Sequence, residues 1–440
     1  FIGDQGGYYL SARDMLLTGE ISLVGIASSH PWLHQGAYWT YLLGLGFSVF
    51  GFAPITGIYV SVFVHIISLL VLYFLAKMMF SFRTAVITTL LYATSPLVLS
   101  FIRMPYHTSP IPLVMICFLL TLSLWIRGKI FAFPVIIFLL AVLYNFELAT
   151  SPLVLVVGTM LGLGIWQRQA WAHIFQPRII VYSVIAFIIG MLPMLLYDFS
   201  HGFPQTVLFL AWVGYKVLVV FGYTPVSLTT PVSWIEMFTF VFSAVQRLLF
   251  ALQGFIAIVL FLGGVGYTAY RSFKAIQGRY VDAFSILFFA TVLPLISVFI
   301  VKTPSGAYLP MLLPGLILLV SVLLSQLYLC RFGHIGVIVI VGMIVGGNML
   351  FLFTDMFNST RYPIALEKQI KATQYIIKEA KGVPYTLQGD GPGSQFESFT
   401  MNYAYLAWWL GKAPSEQKEK MHFIIRESDK GISVKKIIYD

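Results

Sequence analysis

Apolar runs of about 20 residues, the length a helix needs to cross a bilayer, recur along most of the chain and are separated by short polar links. Runs near 42–76, 84–102, 110–126, 130–147, 150–166, 179–197, 248–270, 281–300, 308–330 and 335–354 read as about ten membrane-spanning helices. The first is too long for one simple crossing, and Gly51–Pro54 divides it into an interfacial piece and a helix from about Ile55. Nothing alternates with the two-residue period of barrel strands. In hydrocarbon a helix satisfies its own backbone, so the expected class is an all-α polytopic membrane protein.

Two polar stretches flank this scaffold. Residues 1–41 cannot form a span, because they carry Asp4, Arg13, Asp14, Glu20, His30 and His34. Within them, residues 8–19 read as a short amphipathic helix lying in the membrane interface and stopping at Gly19, and Ser28–Pro31 reads as a turn. The chain opens with neither Met nor an apolar segment, as if just after a missing first span, which brings the expected total to about eleven. From 358 to 440 the character changes to a small α/β domain. A helix is expected over Ile370–Ala380, a strand over Tyr385–Gln388, a helix over Met401–Leu410, and strands over Met421–Arg426 and Val434–Tyr439. The expected domains are therefore 1–41, a helical membrane domain at 42–357 with a large outer loop near 198–240, and 358–440.

Composition agrees: the chain is 59% hydrophobic and 10% charged, with a mean hydropathy of +0.87, more apolar than a soluble domain requires. Cys117 and Cys330 both fall in expected spans, which excludes a secreted disulfide framework, and no Cys/His spacing marks a metal site. The net charge of +10 is first a matter of membrane topology, with no nucleic-acid partner implied. Ten cations, Lys77, Arg83, Arg127, Lys129, Arg168, Arg178, Arg271, Lys274, Arg279 and Arg331, occupy one set of connections. Arg13, Arg103, Lys216, Arg247 and Lys302 occupy the other. The richer set is cytoplasmic by the positive-inside rule, so the opening loop and the C-terminal domain face outward. Of the eight acids before the tail, all but Asp282 lie on that outer side, a clustering that insertion rules do not produce.

Several outer-side residues have both a chemical and a structural reading. Asp4, followed by two glycines, is placed as a general base at the rim of a cavity, or as an interfacial acid or helix cap. Arg103, Arg247 and Lys302 stand at outer helix ends against the topology bias; they fit ligands for an anionic lipid phosphate, or cations snorkelling to headgroups. His34, His107 and His201 fit the cavity wall; a divalent metal among them is supported by no spacing. Arg13, Asp14 and the rim acid Glu147 complete the cavity candidates. Tyr8, Tyr9, Trp32, Trp39, Trp212, Tyr215, Trp408 and Trp409 read chiefly as belt and core aromatics.

The order of these elements carries a resemblance. Gly3-Asp4-Gln5-Gly6-Gly7-Tyr8-Tyr9 is followed by Leu23-Val24-Gly25, His34-Gln35-Gly36, the Gly51–Pro54 break, Ser95-Pro96 before Arg103, Tyr197–Phe203, and Tyr308-Leu309-Pro310 with Pro314. This series resembles the membrane glycosyltransferases of the GT-C fold, most of all the bacterial family 39-type enzymes related to protein O-mannosyltransferases and lipid A aminoarabinose transferases. The resemblance covers the membrane part and not the tail. It implies a polyprenyl-phosphate sugar as donor, an acceptor that is a lipid, glycan or protein, inversion at the sugar carbon, and Asp4 as the base. It places Lys302 and Tyr308 where family members hold the carrier phosphate. Where the family often carries a second acid, this chain has Arg103-Met-Pro-Tyr-His107, with the arginine and no acid, so His107 or Glu147 would stand in. No nucleotide enters, and no cofactor is required. The competing readings are a carrier or flippase for a lipid-linked saccharide and a pyrophosphate-dependent glycan ligase. The few ionisable residues within spans, His65 foremost, count against a carrier.

Overall fold

The computed structural model describes residues 1–27, 33–220, 232–357, 364–415, 417 and 419–439, with only the backbone at 216, 219 and 220. The turn expected at Ser28–Pro31, with His30 and Trp32, and the side chain of Lys216 lie outside the described residues.

Each expected apolar run is helical. The membrane part comprises α2 (Tyr38–Phe50), α3 (Thr56–Met79), α4 (Phe82–Thr94), α5 (Pro96–Arg103), α6 (Ile111–Ile126), α7 (Ala132–Phe146), α8 (Leu153–Trp166), α9 (Pro177–His201), α10 (Pro204–Val220), α11 (Trp234–Leu249), α12 (Gly254–Gln277), α13 (Ala283–Val301), α14 (Leu313–Leu327) and α15 (Gly333–Phe351). By length and composition, six helices among the described residues are long and apolar enough to cross a membrane, or seven if the pair α4 and α5 counts as one. That pair bends by 53°. Pro96 forces the bend: it cannot donate into the turn behind it and pushes Ser95 into extended backbone (ψ 120°). Ser95 then caps α5 through its hydroxyl, which accepts from Val98 N. α14 is buried on every side from Leu313 to Val322, as a helix apolar all round must be. It packs against α12 and α4 at the centre of the bundle.

The run expected at 248–270 is α12, and a further helix, α11, precedes it. α11 is amphipathic, burying Met237, Val241, Ala244, Val245 and Leu248 on one side, and it starts with a Ser233–Glu236 capping box that the sequence displays plainly. The expected outer loop also contains α10, which begins at Pro204.

Ahead of the bundle, α1 (Gly3–Thr18) starts five residues earlier than its apolar pattern indicates and ends at Gly19 in the left-handed region (φ 78°). A short antiparallel pair follows, β1 (Val24–Ala27) with β2 (His34–Gly36).

After the bundle come α16 (Leu366–Ala380), β3 (Thr386–Asp390), α17 (Met401–Trp409), β4 (Met421–Ser428) and β5 (Gly431–Ile438). The sheet order is β3-β4-β5, parallel then antiparallel. Ile376, Tyr385, Tyr403, Phe423 and Ile425 fill the core beneath it. α17 packs along α1, and the reason lies in Gly3 and Gly6. A Cβ on Gly3 would lie 2.0 Å from the Ser398 carbonyl oxygen, and one on Gly6 would lie 2.4 Å from Asn402 Cα. Only glycine lets the two backbones meet there.

Candidate active site

Asp4 sits in the first turn of α1, where the unpaired backbone N–H groups favour a negative charge. The turn is closed by Gln5, whose Oε1 accepts from Ile2 N at 3.0 Å. At 100° per residue, Tyr8 shares the face of Asp4 and Arg13 lies on the opposite one. Arg13 accordingly turns away: it pairs with Asp14 and lies over the Trp408 ring at 4.9 Å.

The loop between α5 and α6 brings the groups that meet Asp4. The Tyr106 hydroxyl donates to Asp4 Oδ2 at 2.8 Å. Its ring is wedged between His107, 4.0 Å away by centroid, and Tyr8, edge-on at 6.1 Å. Ser109 locks the turn: its N–H donates to the Tyr106 carbonyl at 2.8 Å, and its Oγ accepts from Tyr106 N at 3.2 Å. His107 points the other way, and its Nε2 meets Glu147 Oε2 at 3.1 Å, with both side chains under a tenth exposed. His107 Nδ1 is buried and has no hydrogen-bond partner among the described residues. Glu147 follows α7, where its other oxygen caps the next turn by accepting from Ala149 N at 3.2 Å.

Asp4, Tyr8, Tyr106, His107 and Glu147 therefore form one continuous polar cluster. Burial, with the charges of Glu147 and Asp4, pushes the Tyr8 phenol well above the ordinary 10.0. Burial and Asp4 do the same to Tyr106. Tyr308, on the turn Gly306–Tyr308, is pushed up to about 12 by burial, with Glu147 contributing.

His34, His201, Arg103 and Lys302 each contact residues outside this cluster. His34 opens β2 and is clamped by Gln205: its N–H donates to Gln205 Oε1 at 2.9 Å, and Gln205 Nε2 donates to its Nδ1 at 3.1 Å. Gln205 is set in turn by buried Asp198, which accepts from the backbone N–H groups of Gln205 and Thr206 at 2.7 and 3.0 Å and from the Thr206 hydroxyl at 2.6 Å. His201 stacks on Tyr197 of its own helix and is exposed. Arg103 is bonded to the Met356 carbonyl and lies over Phe357. Lys302 ends α13 in the left-handed region (φ 49°), with its ammonium 4.4 Å from the Trp234 ring at the start of α11. Arg247 lies in the last turn of α11, at the other end from Trp234.

Sequence reading gave Tyr106 no role, and counted Asp198 only among the outer acids and within the Tyr197–Phe203 stretch. Tyr106 adjoins His107 in a loop already marked as polar. Asp198 stands shortly before Pro204, a proline of the kind that opens helices.

Among the described residues, no three of His, Cys, Asp and Glu converge to hold a metal. The chemistry on hand is that of a half-buried carboxylate with one oxygen fixed by a phenol. Such a group is built to accept a proton from a hydroxyl or amine.

No protein-family model and no curated protein matches the chain. Solved structures do. ArnT from Cupriavidus metallidurans bound to undecaprenyl phosphate matches 97% of this chain and 88% of its own, with a TM-score of 0.64 and 12% identity. Its apo state gives a TM-score of 0.59 at the same identity and coverage. The oligosaccharyltransferase of Archaeoglobus fulgidus in the apo form matches 92% of this chain and 60% of its own, with a TM-score of 0.54 and 12% identity. The chain therefore has the GT-C fold, a polytopic membrane architecture shared with these two proteins.

Proposed function

We propose that the chain is an integral membrane glycosyltransferase. It moves a hexosyl or pentosyl group from a polyprenyl-phosphate donor to a lipid, glycan or protein acceptor. The site and the C-terminal domain lie at the outer face of the plasma membrane. The observation that carries this reading is the Asp4 carboxylate, held by Tyr106 at the start of α1, in a fold shared with a protein that was solved holding undecaprenyl phosphate.

The reaction follows from ordinary physical chemistry. Asp4 takes the proton of the acceptor O–H as the acceptor oxygen bonds to the anomeric carbon. The bond from that carbon to the phosphate oxygen breaks on the opposite face, so configuration inverts. The electron pair leaves on the polyprenyl phosphate, already a stable anion. Lys302 and Tyr308 belong to one connection, between α13 and α14, and the Tyr308 phenol feels the charge of Glu147. They are the residues that would offset the charge growing on the leaving phosphate. Arg103, engaged with Met356 and Phe357, stands further from this role.

The test is transfer of radiolabelled sugar from a panel of synthetic polyprenyl-phosphate sugars by the purified full-length protein, beside Asp4→Asn. Label in an acceptor with the wild type alone is the expected result. Transfer by Asp4→Asn at the wild-type rate would remove Asp4 as the base. Translocation of the lipid-linked sugar in proteoliposomes without transfer would replace the enzyme by a carrier.

A further inference from the structure

We infer that Tyr106 is the positioning residue of the Asp4 carboxylate, and that the His107–Glu147 pair holds Tyr106 in place. The inference rests on the transferase reading of Asp4. A carboxylate at the exposed start of a helix rotates freely about two side-chain bonds. A base must instead present one oxygen in the line of the acceptor proton, and misplacement of about 1 Å costs on the order of a hundredfold in rate. Here the Tyr106 phenol takes Oδ2 at 2.8 Å and leaves Oδ1 as the proton acceptor.

The phenol has little freedom of its own. Its ring is wedged between Tyr8 and His107, and its backbone is closed by Ser109 through two hydrogen bonds. Thr108 and Ser109 are buried behind it. His107, the next residue, anchors the loop to the end of α7 through Glu147. His107 thus reaches away from Asp4, and its ring supports the face of Tyr106. The chain of contact runs from the bundle (Glu147) through His107 and Tyr106 to Asp4. Glu147 and His107 act at two removes from the reacting atoms. The raised pKa of the phenol is consistent with this role, since it stays a donor throughout the range in which a carboxylate base works.

The experiment is steady-state transfer kinetics on Tyr106→Phe, His107→Ala and the double variant, beside Glu147→Gln and Glu147→Ala. Tyr106→Phe keeps the ring in its wedge and loses only the donor. Its kcat is expected to fall roughly tenfold or more, with KM for the donor lipid unchanged. His107→Ala is expected to lose a similar factor, and the double variant to lose no more than the worse single one, because both act through Asp4. Glu147→Gln, which keeps a partner for His107, is expected to retain more activity than Glu147→Ala. Unchanged kcat in Tyr106→Phe, or fully additive losses in the double variant, would overturn the inference.

A second readout needs no transfer. The infrared carboxylate stretch of Asp4, identified by its loss in Asp4→Asn, is expected to shift in Tyr106→Phe. A band that does not move overturns the inference. A wild type that transfers nothing while the band still shifts overturns the transferase reading instead, and leaves the Tyr106 latch on Asp4 standing.

Discussion

Gly6 of α1 and Asn402 of α17 meet backbone to backbone: a Cβ on Gly6 would lie 2.2 Å from the Asn402 amide nitrogen. In an open helix, Gly→Ala stabilises by up to about 1 kcal/mol. Here the obstacle is backbone, which cannot swing aside as a long side chain does, and overpacking of this kind costs about 1–3 kcal/mol. Gly6→Ala should therefore lower the thermal midpoint by a few degrees and speed proteolytic release of the C-terminal domain. A higher midpoint would mean that the two helices are not in contact as described.

Asp198 holds the start of α10 through two backbone N–H groups and the Thr206 hydroxyl. Removing a buried acceptor leaves those donors unpaired, at a cost of about 1–3 kcal/mol. Asp198→Ala should destabilise by that order in chemical denaturation, and Asp198→Asn by less, because it keeps an acceptor. Equal effects would show that charge alone matters at this position.

The clamp between His34 and Gln205 should loosen in acid. Burial lowers the His34 pKa below the ordinary 6.5, and Gln205 Nε2 donates to Nδ1, a bond that a proton on Nδ1 abolishes. Folding thus favours the neutral ring. The associated stability is complete above pH 6.5, where the unfolded chain is also neutral. It falls as pH drops from 6.5 through the lower folded value, because the unfolded chain takes up the proton first. Hydrogen exchange at the His34 amide should therefore accelerate between neutral pH and about pH 5, after correction for intrinsic rates, and His34→Gln should lack that acceleration. A correction that removes the whole effect in the wild type would count against the clamp.

Lys302 is presented by a left-handed backbone turn and leans on Trp234. Under the proposed function its charge is spent on the carrier phosphate. Lys302→Met should raise the Kd for a polyprenyl phosphate about tenfold or more, the worth of one charge-assisted hydrogen bond. The same variant should bind a neutral polyprenol as the wild type does. An unchanged Kd for the phosphate would move the donor site elsewhere.

The helical scaffold was legible because apolar runs of membrane length leave little freedom. The break at Gly51–Pro54 and the stop at Gly19 are where backbone rules put them. The tail's strands were visible too, since Met421–Ser428 and Gly431–Ile438 are rich in β-branched residues either side of a turn. What escaped was set by tertiary contact. Asp4 belongs to a helix that no Ser, Thr or Asp announces, since Gln5 closes the first turn on the Ile2 amide. Gly6, one of the two glycines after Asp4, is a place where another backbone presses, as is Gly3. Glu147 and His107, 40 residues apart, showed no spacing to link them, and Tyr106 stood in the Arg103–His107 stretch with nothing to single out its hydroxyl. Other candidates lie outside the cluster: His201 is held within its own helix, and Arg13 by Asp14 and the Trp408 ring of α17.

The meeting of α1 with α17 has a consequence for biosynthesis. The Asn402 amide donates to the Phe1 carbonyl across a separation of 401 residues. The helix bearing Asp4 is made well before α17, and its glycine face has no mate until α17 is in place. Contacts between such distant residues form late. The helices between them can thus fold while α1 still lacks its partner, and the arrival of α17 completes the packing around the helix that carries Asp4.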